Sequence, residues 1–167
     1  MDNRLLIEQY NALKTDARRC NFLDQFTEGP LDLELAHFFL GIAQDAKQDD
    51  EVRIAALKII GLYHGDYEHA PILDVLSRIA LDEDEDEYVR NYAFGALEFS
   101  PVTDKEINMA LAFVQGDDED DNLRAAAFDV IHRNKKHVAA ITALKALLDN
   151  KDYAKVAQMA LDDSALG

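Results

Sequence analysis

Four times along the chain the same apolar ladder recurs at i, i+3, i+4, i+7 and i+8. It reads Val52/Ala55/Ala56/Ile59/Ile60, Val89/Tyr92/Ala93/Ala96/Leu97, Leu123/Ala126/Ala127/Val130/Ile131 and Tyr153/Val156/Ala157/Ala160/Leu161. That spacing sets the rungs on one face of an α-helix. The ladders begin 30 to 37 residues apart, and self-similarity at such a period predicts stacked helical units, none of which buries its apolar face alone. Between them lie Leu35/Phe38/Phe39/Ile42/Ala43, Ile72/Val75/Leu76/Ile79/Ala80 and Ala140/Ala143/Leu144/Leu147/Leu148, while Ile107/Ala110/Leu111/Val114 lacks only the last rung, where Gln115 stands. Two kinds of helix, A and B, therefore alternate. The pattern predicts an all-α fold, an α-solenoid of about four helical hairpins, with Ala56, Ala93, Ala127 and Ala157 where helices approach most closely.

The connections fall into two classes. Within hairpins they carry helix breakers and caps: residues 64–71 with Gly65 and Pro71, residues 99–104 with Pro101 and Thr103, and residues 134–136. Between hairpins they are acidic: Asp45 to Glu51, Asp82 to Glu87, Asp117 to Asp121 and Asp149 to Asp152. Residues 1–30 are less regular. Leu5, Leu6, Tyr10 and Leu13 suggest a leading helix, and Ala17 to Phe26 a degenerate one before Gly29-Pro30. The chain is read as a single domain, 1–167: an N-terminal cap over 1–30, core repeats over 31–148, and an unpaired C-terminal capping helix over 149–167.

With 17 Lys and Arg against 33 Asp and Glu, the net charge is −16. Such a field repels phosphate backbones and anionic headgroups, so nucleic acid and membrane are not expected partners and a basic protein is. No apolar run reaches the ~20 residues of a membrane-spanning helix. The single cysteine, Cys20, has no internal disulfide partner, and the segment from Met1 to Arg4 leads into an amphipathic stretch without a secretory h-region. A cytoplasmic protein, monomeric when free, is the expectation.

The stretch Asp50-Glu51-Val52-Arg53-Ile54-Ala55-Ala56, ending in Gly61, resembles the opening of a HEAT repeat of the phycobilisome-lyase type. Asp86-Glu87-Tyr88-Val89-Arg90 with Ala93, and Asp121-Asn122-Leu123-Arg124 with Ala127, repeat the likeness, which covers roughly residues 31 to 162. It departs from the pattern at Ala154, which stands where the Arg would be, and at Glu98 and His132, which stand where the trailing Gly would be. The resemblance implies HEAT-like hairpins. Because the motif encodes helix packing, it implies little about activity.

Arg53, Arg90 and Arg124 each follow the first rung of a ladder, within reach of acids in the adjoining turn, and are read as structural: an Arg-to-carboxylate ladder fixing how hairpins stack. The four acidic connections hold 17 of the 33 acids, more than helix capping by Asp50, Asp86 and Asp121 requires. The excess nominates a partner-binding edge made of Asp82, Glu83, Asp84, Glu85, Asp86 and Glu87 with Tyr88, and of Asp117, Asp118, Glu119, Asp120 and Asp121, with Tyr67 beside it. Phe94 and Phe128 are expected in the core.

Catalytic and metal readings are weaker. Asp82, Asp84 and Asp86 alternate as in an EF-hand loop, but no Gly follows, and Ala93 stands where the bidentate Glu belongs. His64 and His69 bracket Asp66 and Glu68 without a known ligand spacing, and no His is followed by Glu as in HEAT-type iron hydroxylases. Cys20, Ser77, Ser100 and Ser164 lack triad context, and the seven glycines are scattered. No catalytic residue, cofactor or metal is expected. The sequence points to a non-catalytic binding protein, most concretely an immunity or antitoxin-type inhibitor whose acidic edge docks on a basic partner such as a nuclease toxin. One alternative is a HEAT-repeat scaffold or assembly adaptor that binds through a concave helix B surface with Leu73, Leu81, Met109 and Phe113 exposed. A phycobilin-lyase-like subunit is a further one.

Overall fold

The computed structural model describes residues 2–116 and 120–165. Among them every regular element is helical: α1 (Asn3–Ala12), α2 (Asp16–Asp24), α3 (Leu33–Gln44), α4 (Asp50–Leu62), α5 (Ala70–Leu81), α6 (Glu87–Phe99), α7 (Asp104–Gln115), α8 (Asp121–Arg133), α9 (Val138–Ala146) and α10 (Ala154–Ala165). The apolar ladders of the sequence fall on α3 to α10, except that Leu147 and Leu148 lie in the turn after α9 and Tyr153 just before α10; the less regular N-terminal region holds α1 and α2.

Helix starts are fixed by side-chain caps that satisfy otherwise orphaned backbone N–H groups. The Asp49 carboxylate accepts from the Glu51 N–H at 3.0 Å, Asp86 from Tyr88 and Val89 at 2.9 and 3.2 Å, and Asp120 from Asn122 and Leu123 at 2.8 and 3.3 Å. Thr103 and Glu106 form a reciprocal capping box at the start of α7. Asp86 thus caps as expected. For α4 and α8 the caps are Asp49 and Asp120, one residue before the expected Asp50 and Asp121, which are already helical. In a run of consecutive acids only the backbone turn decides which carboxylate meets the helix end.

The chain divides into two compact units, residues 1–96 and 97–167. In the first, α3 packs on α1, α4 and α5, and α2 packs on α4. All five rungs of the Val52 ladder are buried, as are Phe39, Leu57, Leu76, Ala93 and Phe94. Gly61 allows α4 to lie against α6: a Cβ there would stand 2.9 Å from the Ala96 Cα. Phe26 leads out of α2 onto the rings of Phe39 and Tyr63, with centroids 5.2 and 5.4 Å away. In the second unit α7 packs on α8 and α9, and α9 packs on α8 and α10. Ile107, Val114, Leu123, Ile131, Leu144 and Ala157 fill its interior. None of the described helices is long and apolar enough to cross a membrane.

Candidate functional site

The three arginines share one geometry. Arg53, Arg90 and Arg124 are only 3%, 8% and 6% exposed. Each sends its Nε–H to a carbonyl ten residues back, Ala43, Ala80 and Val114, at 3.0, 3.1 and 3.1 Å. Those carbonyls sit in the last turns of α3, α5 and α7, where backbone acceptors lack helical partners and a cation meets the negative end of the helix dipole. The guanidinium thereby ties the end of one helix to the start of the next. The signal of this backbone contact in the sequence is a constant spacing, each Arg standing nine residues beyond the end of the preceding helix.

Carboxylates complete the setting. Arg53 Nη1 reaches Asp50 at 3.1 Å and Glu85 at 2.8 Å, and Nη2 bonds the second Glu85 oxygen, a bidentate pairing. This bond holds the Glu85 carboxyl below its ordinary range, against the opposing push of burial. Arg124 meets Asp152 at 3.3 Å and Asp121 at 3.5 Å, and its guanidinium lies 5.3 Å from the Tyr153 ring centre.

The run from Asp82 to Glu87 is an ordered turn in which the acids divide by task. Asp82 accepts from the Asp84 N–H at 3.1 Å, Asp86 caps α6, and Glu85 points inward to Arg53 with its side chain 16% exposed. Glu83, Asp84 and Glu87 are exposed and make no side-chain hydrogen bond to any described residue. Beside them Tyr88 is 69% exposed. The outward-facing acidic set therefore excludes Glu85, which is spent on Arg53.

In the second acidic turn Asp117, Asp118 and Glu119 lie outside the described residues. Asp120 is the α8 cap, and Asp121 is exposed beside Arg124. Tyr67 is half-buried against His69, ring centres 4.6 Å apart, and burial pushes its phenol up. Phe94 and Phe128, which are not themselves rungs of a ladder, are buried as expected. The adaptor reading needs correction at two of its four positions. Leu73 is 1% exposed and Phe113 6%, because both face the interior of their helix packing, whereas Leu81 is exposed at 42%.

Among the described residues no three His, Cys, Asp or Glu side chains are grouped so as to hold a metal ion. His64 and His69 stand with ring centres 6.0 Å apart, and His64 Nδ1 lies 3.3 Å from the Gly61 carbonyl oxygen. Burial, and then Glu51 and Asp49, push the Cys20 thiol up, opposite to the shift that activates a nucleophile. The carboxyls of Glu98 and Asp129 are pushed up as well, mainly by burial. No family model, curated protein or solved structure matches the chain.

Proposed function

We propose that this chain is a non-catalytic, HEAT-like α-solenoid that binds a basic protein, most concretely as an immunity or antitoxin-type inhibitor of a nucleic-acid-degrading toxin, in the cytoplasm and as a monomer when free. Support for the repeat architecture comes from within each unit. Sequence neighbours pack together in α3 with α4, α7 with α8, α8 with α9 and α9 with α10, and helices also meet the next but one, as in α1 with α3, α2 with α4, α3 with α5 and α7 with α9. That pairing is what stacked two-helix hairpins require. The threefold Arg-to-carbonyl link is a second recurring element, repeated at the same point of three ladders.

One observation carries the binding reading. Glu83, Asp84 and Glu87 project freely around an exposed Tyr88, on a chain whose net charge is −16. Carboxylates held on an ordered turn resemble the phosphate oxygens that a nuclease's cations ordinarily meet, and they attract such a surface from a distance. Tyr88 adds contact area at little entropic cost and suits a slot between lysines or arginines.

The test is a pull-down with the tagged chain at low and high salt, beside the variant Glu83→Gln/Asp84→Asn/Glu87→Gln/Tyr88→Ala. Recovery of a basic protein that fades with salt and with the variant is expected, together with inhibition of that protein's nuclease activity. Recovery indifferent to salt, or undiminished by the variant, would sink the reading.

A further inference from the structure

The fourth ladder departs from the others on its outward side. Met159 occupies the place held by Lys58, Gly95 and Asp129 in the preceding three, and it is 58% exposed. Val156, a rung of the ladder, is 41% exposed, where the corresponding Ala55 is 5% and Tyr92 36%. Single exposed apolar side chains are ordinary. These two are not isolated: they line a groove of about 740 Å³ between α8 and α10, together with Phe128 and Tyr153. The Phe128 ring stacks on His132 with centres 6.0 Å apart and meets Tyr153 at a tilt with centres 5.1 Å apart, so the three rings form one wall of the groove.

Its rim is acidic. Asp121, Asp129, Asp152 and Asp163 line the groove, with Arg124 as the one cation among the lining residues. Arg124 is already committed to the Val114 carbonyl, Asp121, Asp152 and the face of Tyr153. Lys135 takes Asp163 at 3.2 Å. Asp129 has no hydrogen bond to a described residue, and its charged neighbours are Glu98 and His132. Asp129 is solvent-exposed, and an exposed carboxylate beside apolar side chains suits a cation arriving with apolar atoms attached. The volume lies in the range of sites that bury a ligand's side chains, and an anionic ligand meets repulsion from the rim. A second copy of this chain would bring the same acids against it.

We propose that the α8–α10 groove is a docking site for a cationic amphipathic helix of a partner protein. An aliphatic or aromatic anchor sits on Val156 and Met159, over the largely buried Phe128, and flanking Lys or Arg side chains engage Asp129 and the outer carboxylates. Methionine adapts to anchors of different shape, and a helix in a groove presents its apolar residues at i, i+3 and i+4. The site uses none of residues 82–88, so it stands or falls separately from the acidic turn.

The probe is a short synthetic amphipathic helix of Lys and Leu with one Trp on its apolar face. Its control is a scrambled peptide of identical composition, matched in charge but without an apolar face. Methyl NMR of the full chain is expected to show the Val156 and Met159 resonances shifting with the ordered peptide. Its affinity should exceed that of the scrambled peptide by about tenfold or more. Val156→Ser/Met159→Ser, at positions already exposed to solvent, should remove that advantage, and Asp129→Asn should weaken binding and reduce its salt dependence. The turn variant Glu83→Gln/Asp84→Asn/Glu87→Gln/Tyr88→Ala should leave it unchanged. Equal binding of the two peptides, unshifted Met159 methyls, or retained affinity in the serine variant would overturn the proposal. So would self-association of the free chain abolished by Met159→Ser, since the occupant would then be a second copy.

Discussion

Arg53 shows what one side chain does here. It is buried, bonds the end of α3 through the Ala43 carbonyl, and holds Glu85 with two parallel hydrogen bonds. Removing it strands a carbonyl and a partly buried carboxylate together, so Arg53→Ala should lower the unfolding free energy by about 2–4 kcal/mol in urea titration. Arg53→Lys should recover little, because an ammonium does not span both acceptors in the fork geometry. A lysine variant as stable as the parent would contradict this. The partner carboxylate adds a pH dependence. Glu85 has a folded-state pKa below its ordinary 4.5, so its contribution is full above the unfolded value and is lost as pH falls through the folded one. Glu85→Gln should therefore be less stable than the parent at neutral pH, with the gap closing as the medium is acidified below the carboxylate range. A constant gap across that range would rule out the ion pair as its source.

At the scale of elements, the acidic turn is three structural acids interleaved with three free ones. Asp86 closes the N-terminus of α6, so Asp86→Ala should cost about 1 kcal/mol, as lost caps do. Glu83→Gln and Asp84→Asn touch no partner and should leave thermal stability unchanged or slightly raised as like-charge repulsion falls. Equal losses at all three positions would mean that the turn is not divided in this way. The helices themselves were legible from the ladder spacing, because burying one stripe of a 3.6-residue period admits few other readings. Asp49 and Asp120 were missed as caps in favour of their neighbours, since adjacent aspartates have the same chemistry and differ only in backbone conformation. The inward turn of Glu85 was unreadable for the same reason: six consecutive acids carry no mark of which one faces Arg53.

For the whole molecule the dominant quantity is charge. A chain at −16 carries self-repulsion that mobile ions screen over about 10 Å at 0.1 M salt. Raising neutral salt from very low to physiological strength should lift the melting temperature by about a few degrees, while binding to a basic partner weakens. Melting that falls with salt would mean that favourable ion pairs such as Arg53 with Glu85 outweigh the repulsion.

The sequence by itself determined that the chain is helical, roughly where its helices lie, which stripe of each is apolar, and that the chain is strongly acidic. These follow from local periodicity and composition, and neither depends on which helix meets which. Tertiary structure decided the rest. It turned Leu73 and Phe113 inward, set Arg53, Arg90 and Arg124 on carbonyls ten residues back, and left Val156 and Met159 uncovered along a groove. A ladder states that a stripe is apolar; whether each rung is covered depends on the neighbouring helix, which a one-dimensional pattern does not specify.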